Sequence, residues 1–379
     1  MDRLTGCFAA KTTRYTTLVV MSLLFCSRLV FAQSDSIKNQ IKADTIALKK
    51  LERLNDQAGI VNSCLHIALS YYQLGEFNAH VQYAQRAFDL SKKIGDKKLM
   101  AVALVRLGSG YIYISDYPRA LNCFLQQLKL LENTGDKLNT AKAQGNIGLI
   151  YYYLKNYPEA LAYSNKCLHA LQQLNDKVWV AASLNNIGGI YLEMGDYANA
   201  IVYNMKAIQI NTQIRSAKGI GNDLMDIGVA YYKQHDFIKA YQYMRRSEAI
   251  YDSLGAKNNM AITLGHLALI YTYAPDSALV VMAIKPSQRF AKAVQLQQQA
   301  IALAGITKSR ITEADQWKNL TLIYERQQNY KAAFKSLNKY NALKDSIFND
   351  KKRNELSRLY IAYEFDKKAA ELRAENAEK

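Results

Sequence analysis

The chain has four prolines in 379 residues, and two of them, Pro275 and Pro286, sit close together. Long stretches therefore lack the residue that most effectively interrupts helices and central strands. Cysteine is nearly as sparse. Past residue 32 only Cys64, Cys123 and Cys167 remain, an odd number spread over separate segments. That pattern reads as small, buried apolar side chains rather than as a disulfide framework. No apolar run after residue 32 approaches the roughly 20 residues of a membrane-spanning helix. The five histidines, His66, His80, His169, His235 and His266, lie in different segments without zinc-ligand spacing. Gly219-Ile220-Gly221 lacks the third glycine of a dinucleotide loop. There is also no phosphate loop, nucleophile elbow or calcium loop. These absences predict a chain with no catalytic residues, no metal site and no cofactor, so not an enzyme.

What is present is a beat. Tyr71, Tyr111, Tyr151, Tyr191, Tyr231 and Tyr271 recur every 40 residues. Three residues before each lies a small residue: Ala68, Gly108, Gly148, Gly188, Gly228 and Ala268. Six residues after come Phe77, Tyr117, Tyr157, Tyr197 and Phe237, and three later Ala120, Ala160, Ala200 and Ala240. Leu184, Ile187, Tyr191 and Met194 share one helical face. Gly195-Asp196 interrupts it, and Asp196, like Asp116, Asn156 and Asp236, is placed to cap a second helix. Asn156-Tyr157-Pro158-Glu159 has the form of a capping box with proline in the first turn. Each unit is thus a helical hairpin, and one supersecondary element is stacked many times. Between Tyr271 and Tyr324 the spacing widens to 53, which places 13 extra residues between the two helices of the sixth unit, over about 275–288.

Small residues at the helix crossing, an aromatic plug and the following alanine resemble the tetratricopeptide repeat family, here with a 40-residue unit. Kinesin light chains, spindle-orientation adaptors and peptide-sensing bacterial regulators carry such lengthened repeats. The resemblance implies an all-α, right-handed superhelical solenoid of about seven helix-turn-helix units over 61–348. A capping helix over 33–60 would precede it, and a charged helix over 349–379 would follow.

Both ends differ from the middle. Arg3, Lys11 and Arg14 precede an apolar run from Leu18 to Cys26, and Val30-Phe31-Ala32 forms a cleavage-like site before Gln33. Residues 1–32 therefore read as a signal peptide, cleaved at about Ala32/Gln33, which predicts a periplasmic or secreted protein. The competing readings are an uncleaved anchor, for which the apolar run is short, and a cytoplasmic peptide-responsive regulator. At the other end, Asp350 to Lys379 holds eight basic and seven acidic residues without Gly or Pro. Leu356, Leu359, Tyr363 and Ala370 form a thin stripe on it. The segment is similar to stalks that join bacterial envelope repeat domains to an output. It reads either as a solvated helix or as one that contacts an output protein or a second copy. The net charge is +17, but its basic pairs, such as Lys49-Lys50 and Lys97-Lys98, are scattered. A solvated surface explains them better than a nucleic-acid groove does.

The family resemblance implies that first helices line a concave groove. Two residues before the small column stand His66, Arg106, Asn146, Asn186, Asp226 and His266, all polar. A polar column on apolar helices predicts either a solvated groove or mutual hydrogen bonding. Asn146, Asn186 and the adjacent Asn185 match the asparagine ladder with which related adaptors hold an extended peptide backbone. An amide offers both donor and acceptor, which suits any peptide bond. Arg106, Lys142, Asn222, Asp226 and Lys233 would add charge selectivity, and Tyr113 and Tyr153 apolar contact area. The expected partner is a protein or extended peptide. The alternative is that the asparagines only fix repeat spacing.

Overall fold

The structure, a computed structural model, describes residues 35–132 and 134–346. The expected signal peptide (1–32) and charged terminal helix (349–379) lie outside the described residues. Among the described residues all regular structure is helical. The chain divides between Ile114 and Ser115 into two compact units.

The first unit holds α1 (35–53), α2 (Gln57–Leu74), α3 (Phe77–Lys93) and α4 (Lys97–Tyr113). Asp56 caps α2 by accepting from the Gly59 amide, so the first repeat starts four residues ahead of the expected boundary at 61. Leu48 of α1 packs into a core with Ile60, Val61, Cys64, Leu65 and Ile67 of α2, which covers the apolar side of the first hairpin.

The second unit continues with α5 (Tyr117–Leu131), α6 (Lys137–Tyr153), α7 (Tyr157–Gln173) and α8 (Lys177–Met194). Next come α9 (Tyr197–Gln213), α10 (Ala217–Lys233), α11 (Phe237–Ser253) and α12 (Lys257–Tyr273). The short α13 (Asp276–Val281) and a 3₁₀ turn (Pro286–Gln288) precede α14 (Arg289–Ile306), α15 (Arg310–Arg326) and α16, which is described over 330–346.

Each helix begins and ends for local reasons. Asp136, Asp176 and Ser216 cap first helices by accepting backbone N–H groups, and Asp116, Asp196 and Asp236 cap second helices in the same way. Each such cap is worth about 1 kcal/mol. Asn156 departs from the expectation. It occupies the N-cap of α7 but makes no side-chain cap hydrogen bond, so the anticipated capping box is not closed. Within most turns one residue takes a left-handed conformation, glycine at Gly195 (φ 81°) but Lys155 at the matching place within a hairpin, and glycine at Gly135 (φ 70°) but Asn175 and Arg215 at the matching places between hairpins.

The small column is where each first helix meets its own second helix. A Cβ on Gly148 would stand 2.6 Å from Ser164 Oγ and 3.1 Å from the Ser164 backbone nitrogen. One on Gly188 would stand 2.6 Å from Asn204 Nδ2, and one on Gly228 2.9 Å from Met244 Cε. Around these crossings Ile147, Ile187 and Ile227 are fully buried. Each contributes roughly 2 kcal/mol of apolar burial. The extra residues of the sixth unit fold onto that core, with Leu279, Met282 and Ile284 buried and Val280 and Val281 exposed. Cys64, Cys123 and Cys167 are buried and unpaired. Burial raises all three thiols, that of Cys123 to about 12.

Candidate binding face

The ten anticipated site residues divide between the two units. Arg106 and Tyr113 belong to the first. The Arg106 carbonyl and that of Ala68 lie 2.8 and 2.7 Å from the two ring nitrogens of buried His80, which ties α2 to α4 through α3. The half-buried Arg106 side chain has its Nε buried without a hydrogen-bond partner. Tyr113 is 52 % exposed, yet its ring stacks on Phe77 at 4.5 Å and its oxygen accepts from the Tyr72 hydroxyl at 2.7 Å.

The other eight belong to the second unit, where first helices α6, α8, α10 and α12 pack side by side. Asn146, Asn186, Asp226 and His266 occupy one repeat position on these four helices and form a row across them. None of the four is buried, and Asn186 is fully in the exposed class. Asn146 and Asn186 make no side-chain hydrogen bond to another described residue, so both amides keep their donors and acceptors. Beside them Lys142 lays its ammonium 4.8 Å above the Trp179 ring. Tyr153 is 41 % exposed on one side and stacked on Tyr117 at 4.9 Å on the other, a rigid platform at the end of α6.

Asn185 behaves differently from its neighbour. One residue along, its side chain turns into the stack, and its amide nitrogen stands 2.9 Å from Asn204 Oδ1, Asp223 Oδ1 and Asp226 Oδ2 alike. Two amide hydrogens thus serve three acceptors on α9 and α10. Asp223 also accepts from Asn211 Nδ2 at 2.8 Å, and Asn204 donates to the Ala200 carbonyl. Among the described residues no basic side chain pairs with either carboxyl. Burial consequently pushes Asp223 up to about 7 and Asp226 up to about 6, against the opposing pull of the asparagine donors.

Asn222 is likewise engaged, accepting from the Tyr251 hydroxyl at 2.6 Å and from Asn259 Nδ2 at 3.2 Å. Asn185 and Asn222 therefore hold repeats together, as the spacing alternative anticipated, whereas Asn146 and Asn186 stay open. Lys233 is exposed and adds its charge against His266, which burial above all holds near 4. Among the described residues no group of three His, Cys, Asp or Glu side chains is placed to hold a metal ion.

Residues 139–213 match a tetratricopeptide repeat family profile, and 103–138 match a second profile of the same description. The chain carries tetratricopeptide repeats. The small column, the plug and the paired helices are this family's hairpin packing, and the polar row lies on the first helices of those repeats. Solved structures extend the likeness over most of the chain. The apo quorum sensor NprR from B. thuringiensis is 16 % identical, with 81 % of this chain and 83 % of that one covered at a TM-score of 0.63. Aspartyl phosphate phosphatase F from Bacillus subtilis is 14 % identical, with 78 % and 73 % covered at 0.63. The Rap conjugation gene regulator of plasmid pLS20, solved with the Phr* peptide, is 14 % identical, with 78 % and 76 % covered at 0.58. At such identities the likeness is one of fold. No curated protein sequence matches.

Proposed function

We propose that this tetratricopeptide repeat chain is a non-enzymatic scaffold or sensor module of the bacterial envelope that captures an extended peptide or partner segment on the first-helix face of its second unit. The observation that carries the reading is the pair Asn146 and Asn186. Their amides lie one repeat apart in the same row and are free, although nearby Asn185 is engaged through its amide nitrogen and Asn222 through its amide oxygen. An amide with both functions open can bind a peptide N–H and C=O without regard to sequence. Tyr153 and the Lys142–Trp179 pair border the row with apolar area and charge. The fold likeness to a regulator solved with a peptide supports a peptide as the ligand class.

A library of extended 15-residue peptides tests this by fluorescence anisotropy. Asn146→Ala combined with Asn186→Ala should weaken the selected peptides about thirtyfold, since each of the two lost hydrogen bonds contributes about 1 kcal/mol. Unchanged affinity in a variant with wild-type melting would sink the groove. The compartment is tested by intact mass from fractionated cells. A species starting at Gln33 outside the cytoplasm agrees with export, and a full-length cytoplasmic species would make the chain a cytoplasmic regulator.

A further inference from the structure

In the third, fourth and fifth hairpins the tyrosine near the end of the first helix is covered by a tyrosine of the second. Tyr163, Tyr203 and Tyr243 stack on Tyr151, Tyr191 and Tyr231 with ring centroids 5.7, 5.3 and 5.5 Å apart. The cationic groups of Lys166, Lys206 and Arg246 then lie 5.2, 5.0 and 5.4 Å from the centroids of the covering rings. In the fourth hairpin this tyrosine pair packs on Leu184 and Ile187. In the sixth, Leu296 takes the covering place and Tyr271 is buried.

The seventh hairpin departs from this pattern. Tyr324 of α15 keeps the beat, but the covering place on α16 is held by Ser336. A cleft of about 720 Å³ opens there, lined by α14, α15 and α16. Trp317, Leu320 and Tyr324 contribute one face of α15 to it, and Ser336 stands among Lys335 and Lys339 on α16. Trp317 occupies the place of the buried Leu184, Leu224 and Leu264, yet it is only half-buried. Lys339 occupies the place of Lys166, Lys206 and Arg246, so the cation is kept and the ring beneath it is not. Two lysines and no acid line the cleft.

Each of these features narrows the ligand. The volume is that of a small-molecule site. Trp317 and Tyr324 offer ring faces and edges to another aromatic ring, and a lysine above that ring adds a cation–π contact. Lysines without a lining acid favour a ligand that brings a negative charge. We propose that this cleft binds a small aromatic carboxylate, its ring covering Tyr324 as the tyrosines of the other hairpins do and its carboxylate meeting Lys335 and Lys339. The site shares no residue with the polar row on α6, α8, α10 and α12.

The probe is 4-hydroxyphenylacetate, a phenol ring that carries a carboxylate. Trp317 is one of two tryptophans, so in the full-length Trp179→Phe variant the indole fluorescence reports the cleft. The probe should change that fluorescence saturably, and Ser336→Tyr, which supplies the covering ring from the chain itself, should abolish the change. A tyrosine at buried Ser336 tests folding as well as binding, so a second variant uses exposed positions. Lys335→Gln with Lys339→Gln should weaken the probe about tenfold or more through the lost charge-assisted contacts. Cyclohexylacetate, without the aromatic ring, and tyramine, with an ammonium in place of the carboxylate, should each bind about tenfold more weakly or not at all. Absence of a saturable change overturns the proposal. Equal binding of cyclohexylacetate or tyramine overturns the ligand class, and unchanged affinity in the double lysine variant overturns the site.

Discussion

The α6–α8 edge and the α8–α10 edge are built from the same repeat, yet they treat their polar groups in opposite ways. At α6–α8 the amides of Asn146 and Asn186 make no hydrogen bond to another described residue, and Lys142 lies over Trp179. At α8–α10 the polar groups turn inward, where Asn185, Asn204, Asn211 and two carboxyls satisfy one another. The first edge is held by apolar contact and leaves its hydrogen-bonding capacity to solvent or a ligand. The second uses that capacity for cohesion. Location on a first helix is therefore insufficient to make a residue a binding residue, and the decisive matter is whether its partners already exist.

The strongest way to break the comparison is to remove the central donor. Asn185→Leu should lower stability by about 3 kcal/mol, because the buried Asp223 and half-buried Asp226 carboxyls lose their shared amide. Asn186→Leu, one residue away, should change it by no more than about 0.5 kcal/mol. Urea midpoints compare the two, and equal losses would erase the distinction between the edges.

A weaker effect comes from protons. A carboxyl raised from 3.8 to about 7 in the folded state contributes favourably while protonated, and that contribution is lost as pH rises through 6 and 7. His266, held near 4, works in the reverse sense between about 4 and 6.5, so wild-type stability alone mixes the two. Asp223→Asn isolates the carboxyl. Relative to wild type it should gain about 2 kcal/mol between pH 4 and pH 8, read as melting temperature against pH. No relative gain would mean that the cluster does not hold its protons. The smallest effect belongs to the open edge. Trp179→Ala should cost about 1 kcal/mol through the lost cation–π contact and leave amide exchange around Asn185 untouched.

The architecture was legible because it repeats. Six tyrosines and six small residues on one beat define the hairpin, and Gly148 against Ser164 shows the physical need behind the column. The division of the asparagines was not legible from the row alone. Asn185 and Asn186 differ by about 100° around one helix, which decides between packing and solvent. A signal was nonetheless present in other columns. Asn185 shares its place with Val105, Gly145, Met225 and Gly265, and Asn204 shares its own with Phe124 and Met244. Asn211 stands where Leu131, Leu171 and Tyr251 stand. Asn185 and Asn211 are polar exceptions in columns that are otherwise apolar or glycine in the second unit, and with Asn204 they lie within 40 residues of Asp223, so they must find partners once covered. A second regularity joins the repeats' outer faces. Tyr151, Tyr191 and Tyr231 stack on Tyr163, Tyr203 and Tyr243, with Lys166, Lys206 and Arg246 over the outer rings. A tyrosine twelve residues after each first tyrosine, followed by a cation three later, is visible in the bare sequence.

The Asn185 node has a consequence for folding rather than for binding. A chain of look-alike hairpins risks pairing the wrong neighbours, since a slip of one whole repeat still matches apolar face to apolar face. Such a slip would bring α10 against a first helix bearing Gly145 or Gly265 instead of Asn185, and would leave Asp223 and Asp226 without its amide between them. The mispaired state is penalised far more heavily than the correct one is rewarded. Asn185 thus acts as an address, fixing which hairpin follows which.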